Sequence, residues 1–222
     1  MPVRSFSLGC TASRPLYIEC DCSASEGGLL LIRNRSTSVW ALRGPLFFVA
    51  PASPDSFVRL FLGLWPDDET RALLQAHADG WDWPPSARRT RQERLHVTLH
   101  FIGDVTPARL RELRQALQVD RTAGGLTLDR PAVWPGGIAV LQAQSIPPEM
   151  AALHTDLGRA LQALDLPVES RPWRPHVTLA RKAFGAHPPI ACEPVRWRGA
   201  AGYLLVRSLP GGRGYEPVAT FD

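Results

Sequence analysis

The sequence predicts an α+β domain built from two similar lobes. The tetrapeptide His-Val-Thr-Leu occurs at residues 96–99 and again at 176–179, each time in a short apolar run rich in β-branched residues, which predicts a buried strand. A long segment with helical character precedes each copy, at residues 67–79 and 147–164. Because strand–helix–strand order recurs with the motifs 80 residues apart, we expect an internally duplicated, pseudo-symmetric domain. Two copies are too few for a solenoid.

The first 56 residues do not share this pattern. They lack a sustained period, are interrupted by prolines and by clusters of serine and glycine, and hold three of the four cysteines. We expect residues 1–56 to be a poorly ordered extension, in which the apolar segments 29–32 and 46–50 could form a hairpin. One hypothesis is that the extension is an artefact of start-site choice, with translation beginning at a GUG codon for Val58. The ordered domain is predicted to cover residues 57–222.

The first half of that domain begins with an apolar segment over 58–65, which predicts a strand ending at Pro66. Acidic residues at 67–69 then occupy the first turn of a helix reaching residue 79, where they offset the free N–H groups. The remaining elements of this half are a loop rich in arginine and tryptophan (80–94), the first motif strand (95–103) and a helix with leucines along one face (107–119).

The second half follows the same order. Short strands near 126–128 and 138–143 precede the helix at 147–164, and the second motif strand is predicted at 175–181. Three strands close the chain, at 194–197, 203–208 and 215–220, and the last two are joined by a Pro-Gly-Gly-Arg-Gly turn.

Composition places the chain among ordinary soluble globular proteins. It is 45% apolar and 21% charged, and its formal net charge of +4 is compatible with a polyanionic substrate without identifying one. Lys182 is the only lysine, so nearly all of the 25 basic residues are arginine, as in proteins from GC-rich bacterial genomes. The sequence has no run of 18 apolar residues, no apolar leader and no metal-ligand spacing of cysteines. We therefore expect a cytoplasmic protein with free thiols and no membrane association.

Each motif places an imidazole and a hydroxyl on the same face of its strand. Because side chains alternate along a strand, His96 and Thr98 point one way while aliphatic residues anchor the other face, and His176 and Thr178 do the same. With an ordinary pKa of about 6.5, one imidazole can act as a base while the other acts as an acid. The hydroxyls can donate to the oxygens of a phosphate held between the histidines. No carboxylate cluster accompanies the motifs, so no metal is expected.

The other histidines are predicted to lie outside the chemistry. In a regular strand His100 shares the catalytic face, where it forms a wall of the cleft or is solvated, and the second copy has Ala180 at that position. His77, His154 and His187 fall on helices or loops, where a structural role is expected.

Over residues 57–222 the chain resembles a known family. It is similar to the 2H phosphoesterase superfamily, and within it to the bacterial RNA 2′,3′-cyclic phosphodiesterases formerly called 2′-5′ RNA ligases. The resemblance is carried by RLFL at 59–62, LHVTLHFIG at 95–103, RPHVTLAR at 174–181, LVRS at 205–208 and the Gly-Tyr pair at 214–215.

The resemblance implies a two-lobed fold in which antiparallel sheets face a central cleft and helices lie outside. It implies hydrolysis, without metal or cofactor, of the 2′,3′-cyclic phosphate end of RNA or of an oligonucleotide, leaving a 2′-phosphate. In that reaction His96 is the implied proton donor, His176 the implied proton acceptor and Arg181 the implied phosphate ligand, alongside the hydroxyls of Thr98 and Thr178. We expect the protein to act as a monomer.

Three features of the sequence leave alternatives open. A regular strand would turn Arg181 away from the hydroxyl face, so it reaches a cleft only if the strand ends or bulges near Ala180, and otherwise it is surface charge. The arginine-rich segment 88–94 could contact RNA phosphates or form a solvated loop. Trp81 and Trp83 could stack on a base or pack inside the protein.

Two other functions also stay open at this level. The same site run in reverse could join RNA ends through a 2′-5′ linkage. A non-catalytic protein could bind RNA ends carrying a cyclic phosphate, but binding alone does not require both histidines, so hydrolysis is the expected activity.

Overall fold

The computed structural model describes residues 57–119, 124–191, 193–198 and 202–222, together with the backbone of two short strands near the N-terminus. Contacts divide the chain into two units, Met1–Pro51 and Ala52–Asp222. In the first unit β1 (Leu31–Arg33) pairs antiparallel with β2 (Val39–Ala41). The strand β1 overlaps the predicted segment 29–32, whereas the predicted partner at 46–50 lies outside the described residues. Poor order of residues 1–56 stays a prediction.

The second unit contains the three helices and most of the strands expected from the sequence. Its helices are α1 (Asp68–Asp79), α2 (Leu110–Ala116) and α3 (Pro148–Ala163). Its strands are β3 (Val58–Leu64), β4 (Arg88–Arg89), β5 (Val97–Val105), β6 (Leu126–Leu128), β7 (Arg130–Trp134), β8 (Ile138–Gln142), β9 (His176–Arg181), β10 (Val195–Trp197), β11 (Tyr203–Leu209) and β12 (Gly214–Phe221).

Differences from the predicted elements are local. The strands β4 and β7 were not expected. The predicted helix at 107–119 is a 3₁₀ turn at Pro107–Arg109 followed by the shorter α2. Helix α1 begins where its acids indicate, because the side chain of Asp67 caps it by accepting a hydrogen bond from the N–H of Thr70 at 2.7 Å. Such a cap contributes about 1 kcal/mol to helix stability.

The main sheet is antiparallel and joins the two motifs at its centre. Its strand order is β12-β11-β3-β5-β9-β8-β7, with β4 pairing on β9. The motif strands β5 and β9 share a single Cα pair, Val97 with Val177, which are the same residue of the two tetrapeptides. Antiparallel pairing of equivalent residues creates a local two-fold relation between the copies. The predicted two-lobed α+β fold with antiparallel sheets is confirmed.

The aliphatic residues of both motifs anchor the sheet in the core. Val97 and Val177 are fully buried, and Leu99 and Leu179 are 3% and 1% exposed. These four side chains lie in one apolar cluster with residues from all three helices. The motif backbone is therefore held by packing on one side, which fixes the orientation of the polar side chains on the other.

Each long helix is tied to the strand of the more distant motif. Helix α1 precedes the first motif, but Asp79 at its end forms an ion pair with Arg89 of β4, which lies on β9. Helix α3 precedes the second motif and packs on β5, where the ring of His154 stacks on that of His100 at 4.0 Å. Each half therefore contributes a helix that contacts the other half of the domain.

Among the described helices, none is both long and apolar enough to cross a membrane. The expected cytoplasmic location and monomeric state stay predictions.

Candidate active site

A cleft of about 540 Å³ is lined by residues of both motif strands. Its volume is in the range of small-molecule sites. Its walls include all five residues singled out from the sequence: His96, Thr98, His176, Thr178 and Arg181. Neither threonine hydroxyl bonds to another described side chain or backbone group, so both hydroxyls can donate to a ligand.

The same β-bulge occurs in both motif strands. On β5, Thr98 pairs with Gly63 and His100 pairs with the adjacent Leu62, so Leu99 is an extra residue. On β9, Thr178 and Ala180 pair with adjacent residues of β8, so the leucine between them is the extra residue there. An extra residue reverses which side chains face the cleft beyond it. The duplication therefore includes the bulge as well as the tetrapeptide.

This bulge determines the positions of two side chains, Arg181 and His100, relative to the cleft. Arg181 reaches the cleft, because the strand bulges immediately before Ala180. The expected place of His100 on the catalytic face is wrong: its side chain is only 4% exposed, and its Nε2 lies 2.8 Å from the carbonyl oxygen of His154. Phe101, which is 71% exposed, takes the cleft position equivalent to that of Arg181.

The two catalytic candidates have the same hydrogen-bond geometry. Nδ1 of His96 lies 2.7 Å from the carbonyl oxygen of Arg94, and Nδ1 of His176 lies 2.7 Å from that of Arg174. A carbonyl oxygen can only accept, so Nδ1 carries the proton and donates in both rings. In the neutral form Nε2 then holds the lone pair. Each ring can therefore accept a proton at Nε2, or donate one there when charged.

Burial makes both imidazoles weaker bases than a free histidine. Desolvation lowers the pKa of His96 to about 4, and the positive charges of His176 and Arg181 act in the same direction. Desolvation is also the main cause that lowers the pKa of His176, again with Arg181 adding to it. The hydrogen bonds to the backbone carbonyls oppose these effects in both cases. The uncharged form of each ring therefore predominates at pH 7.

Aromatic rings surround the first imidazole on several sides. Trp65 stacks on His96 with ring centroids 4.8 Å apart and an angle of 9° between planes. Phe61 and Tyr215 lie against the same imidazole at 5.2 and 5.1 Å. The face of an indole favours a cation over a neutral ring, so Trp65 favours the charged form of His96.

The second imidazole has a different neighbour. Trp134 of β7 lies 4.4 Å from the ring of His176, at an angle of 52°. Sequence reasoning missed Trp134 because β7 carries no regular alternation, and it treated Trp65 only as the end of a strand. No local signal relates either tryptophan to a histidine 31 or 42 residues away in the sequence.

The walls of the cleft are strongly basic. The basic residues that line it are Arg59, Arg88, Arg89, Arg91, Arg94, Arg181 and Lys182, and no aspartate or glutamate stands among the described lining residues. Within the described part of the chain, no three His, Cys, Asp or Glu side chains cluster as metal ligands would. The electrostatics of the cleft suit an anionic ligand.

The remaining sequence candidates lie away from the cleft. Trp81 and Trp83 stack on each other at 4.9 Å, with Trp81 buried at 4% exposure and Trp83 half-buried against the core, and neither lines the cleft. Trp83 also donates from its indole N–H to the carbonyl of Ala78 at 2.8 Å. His77 accepts from the indole of Trp81, and His187 is exposed.

Comparisons with known proteins identify the family and the fold. A sequence model of the 2′-5′ RNA ligase superfamily matches residues 66–202, more than half of the chain. No curated protein sequence matches the chain.

Among solved structures, a protein described as a phosphoesterase aligns with a TM-score of 0.65 at 22% identity, covering 75% of this chain and 98% of its own. LigT of E. coli in its apo form gives 0.63 at 23% identity, covering 74% and 96%. The protein TT0787 of Thermus thermophilus gives 0.58 at 23% identity, covering 73% and 96%. At these identities the structures establish a shared fold.

Proposed function

Because the chain belongs to the 2′-5′ RNA ligase superfamily, in which phosphoesterase chemistry is the general activity, we propose that it hydrolyses the 2′,3′-cyclic phosphate end of RNA. The product is a 2′-phosphomonoester with a free 3′-hydroxyl. The observation that carries the proposal is the pair of imidazoles whose Nδ1 atoms are bound identically to backbone carbonyls on the walls of one cleft. LigT of E. coli, a relative in fold, has been solved in complex with 3′-AMP.

The proposed reaction needs one base and one acid. Nε2 of His176 takes a proton from water as the water oxygen forms its bond to phosphorus. The bond between phosphorus and O3′ breaks, and Nε2 of His96 gives its proton to the departing O3′. The two imidazoles end with their protonation states exchanged, and proton exchange with solvent restores them. Water is the only co-reactant consumed, both side chains are regenerated, and nothing is oxidised or reduced.

A proton donor must carry its proton before the reaction, but the pKa of about 4 leaves His96 neutral at pH 7 in the cleft without substrate. The substrate carries a negative charge at the cyclic phosphate, and an anion beside an imidazole raises its pKa. The stacked face of Trp65 acts in the same direction. Following the roles that the family resemblance implies, we assign the proton donor to His96 in the substrate complex and the acceptor to His176.

The remaining side chains stabilise the charge on phosphate. The hydroxyls of Thr98 and Thr178 have no other described partner and donate to the non-bridging oxygens. Arg181 neutralises charge from the end of β9, where it has no carboxylate partner within the described residues. A donor already in place when charge develops costs no reorganisation, so these contacts act mainly on the transition state.

The experiment is a turnover assay with a panel of 2′,3′-cyclic phosphate substrates in the presence of EDTA, with the product position assigned by phosphorus NMR. We expect 2′-phosphate as the product and the same rate with and without chelator. A 3′-phosphate product, or loss of activity on chelation that added metal restores, contradicts the proposal. Incubating the product with a 5′-hydroxyl oligonucleotide measures the reverse, 2′-5′ joining reaction in the same site.

A further inference from the structure

We propose that Arg88 and Arg91 bind backbone phosphates of the RNA chain upstream of its cyclic end, so that the preferred substrate is an oligonucleotide rather than a cyclic mononucleotide. This inference rests on the proposed function, because it concerns the same cleft. It assigns a role to the arginine-rich segment 88–94, which the phosphate chemistry of the two motifs does not use.

Arg88 stands directly opposite another arginine in the sheet. In the pairing of β4 with β9, the Cα partner of Arg88 is Arg181, and Lys182 follows at the end of the strand. Like charges placed opposite each other across two strands destabilise the pairing. All three side chains line the cleft, where the described residues supply no carboxylate. The arrangement is stabilised by an anion that carries more charge than one cyclic phosphate.

The arginines that line the cleft differ in whether an acidic side chain already neutralises them. Seven arginines of the described residues pair with a carboxylate: Arg59, Arg71, Arg89, Arg109, Arg159, Arg171 and Arg207. Arg88 and Arg91 are exposed and pair with no acidic side chain of the described residues. Arg89, which also lines the cleft, is neutralised by Asp79, whereas Arg88 and Arg91 keep their charge for a ligand in the cleft.

The backbone that carries these arginines is held in place. The N–H of Thr90 donates to the carbonyl of Leu179 at 2.7 Å, which ties the segment to the second motif strand. At its other end, the guanidinium of Arg94 donates to the carbonyls of Gly212 and Arg213 at 2.9 and 3.0 Å. A fixed backbone with unpartnered cationic side chains is prearranged for a ligand, because less conformational entropy is lost on binding.

The position of Arg91 indicates the direction in which the chain leaves the cleft. Arg91 lines both the cleft and an adjoining cavity of about 380 Å³, whose walls include Trp65, Tyr215 and Arg213 together with one acidic residue, Glu93. Basic side chains beside aromatic rings are the combination that binds single-stranded nucleic acid, since the charges follow the backbone and the rings stack on bases. The upstream nucleotides are therefore placed over Arg91 and toward Arg213.

The expected size of the effect on kcat/KM can be worked out from the salt dependence of phosphate binding. For single strands, each neutralised phosphate contributes a slope of about −0.7 to the logarithm of affinity against the logarithm of salt concentration. Two additional contacts predict that raising salt from about 50 to about 200 mM lowers kcat/KM for the oligonucleotide roughly 7-fold more than for the mononucleotide. Replacing one of the two arginines reduces that excess to roughly 2.6-fold.

The test measures kcat/KM for a cyclic mononucleotide and for oligoribonucleotides of two to six residues ending in a 2′,3′-cyclic phosphate, at both salt concentrations. Arg88→Gln, Arg91→Gln and the double variant are compared with the wild type. The control is Arg111→Gln, an exposed arginine on α2 that pairs with no acid of the described residues and lines none of the described cavities. We expect the double variant to lose the preference for the longer substrates, with a larger loss of kcat/KM on the oligonucleotides than on the mononucleotide.

Two outcomes overturn the inference: equal kcat/KM and equal salt dependence for mononucleotide and oligonucleotide in the wild type, or an equal loss on both substrates in the double variant. Absence of turnover with every substrate refutes the proposed function instead. In that case, equilibrium binding of a hexanucleotide with a terminal 2′-phosphate still decides the inference. Weaker, less salt-dependent binding by the double variant than by Arg111→Gln supports it, and unchanged binding contradicts it.

Discussion

Removing the two imidazoles one at a time and together tests the central assignment most directly. His96→Ala leaves the departing O3′ without a proton donor, and His176→Ala leaves water without a base, while the second ring keeps its Nδ1 hydrogen bond to the backbone in each case. General acid or base catalysis is typically worth about 10²–10⁴ in rate. Each single variant is expected to lose that factor in kcat. If the contributions were independent, the double variant would lose about 10⁴–10⁸.

The proposed mechanism predicts a much smaller further loss. The acid and the base act in the same displacement step, so when one is missing the other contributes little to the rate. The kcat of the double variant is therefore expected to lie within about tenfold of that of the slower single variant. The assay is single-turnover hydrolysis of a 2′,3′-cyclic substrate, with thermal melting to establish that each variant is folded. His187→Ala is the matched control, since His187 is exposed and does not line the cleft. Near-normal activity in either single variant, or fully multiplicative losses in the double variant, would refute the reasoning.

Three further predictions follow from the described contacts. The pH dependence of kcat/KM reports the pKa values of the acid and the base in the free protein. Because burial lowers the pKa of both cleft imidazoles, that of His96 to about 4, the pH optimum of kcat/KM is expected below pH 6.5. An optimum above pH 7.5 contradicts this prediction. Thr178→Val, which removes the hydroxyl proposed to donate to phosphate while keeping the shape of the side chain, is expected to lower kcat about 10²-fold with little change in melting temperature. A change confined to KM argues against a transition-state role. Tyr203→Phe removes a buried hydroxyl that donates to the carbonyl of Leu117 at 2.6 Å and accepts from the N–H of Val119 at 3.1 Å. We expect it to cost about 2–4 kcal/mol and to lower the melting temperature by roughly 5–15 °C in a circular dichroism melt, and an unchanged melt shows that those groups find other partners.

Local patterns in the sequence were sufficient for most of the elements. The alternation of aliphatic and polar residues located both motif strands, and the acids after Pro66 located the start of α1 at the capping residue Asp67. The short β7 was missed because its own residues show no period, although the Pro-Gly-Gly turn at 135–137 joins it to β8 in a hairpin. The expected length of the helix at 107–119 was too long because apolar spacing continues past the point where α2 ends at Ala116.

The place of His100 shows where reasoning from one strand fails. Alternation assigns it to the catalytic face, but the extra residue Leu99 turns its side chain into the core, against α3. A bulge is defined by counting residues against the partner strand, so a single strand does not reveal it. The same bulge at Leu179 brings Arg181 to the cleft. The equivalent position of the first motif strand is occupied by Phe101, so the two strands place different side chains in the cleft.

The sequence by itself determined the duplication, the identity of the two imidazoles and two hydroxyls, and the aliphatic anchors that hold them, because all of these are local and repeat every second residue. Only the tertiary structure decided what surrounds them. The stacking of Trp65 on His96, the opposition of Arg88 and Arg181, and the lowered pKa of both imidazoles arise between residues far apart in the chain. Desolvation and charge act through space, so they depend on how strands are brought together rather than on the order of residues along any one of them.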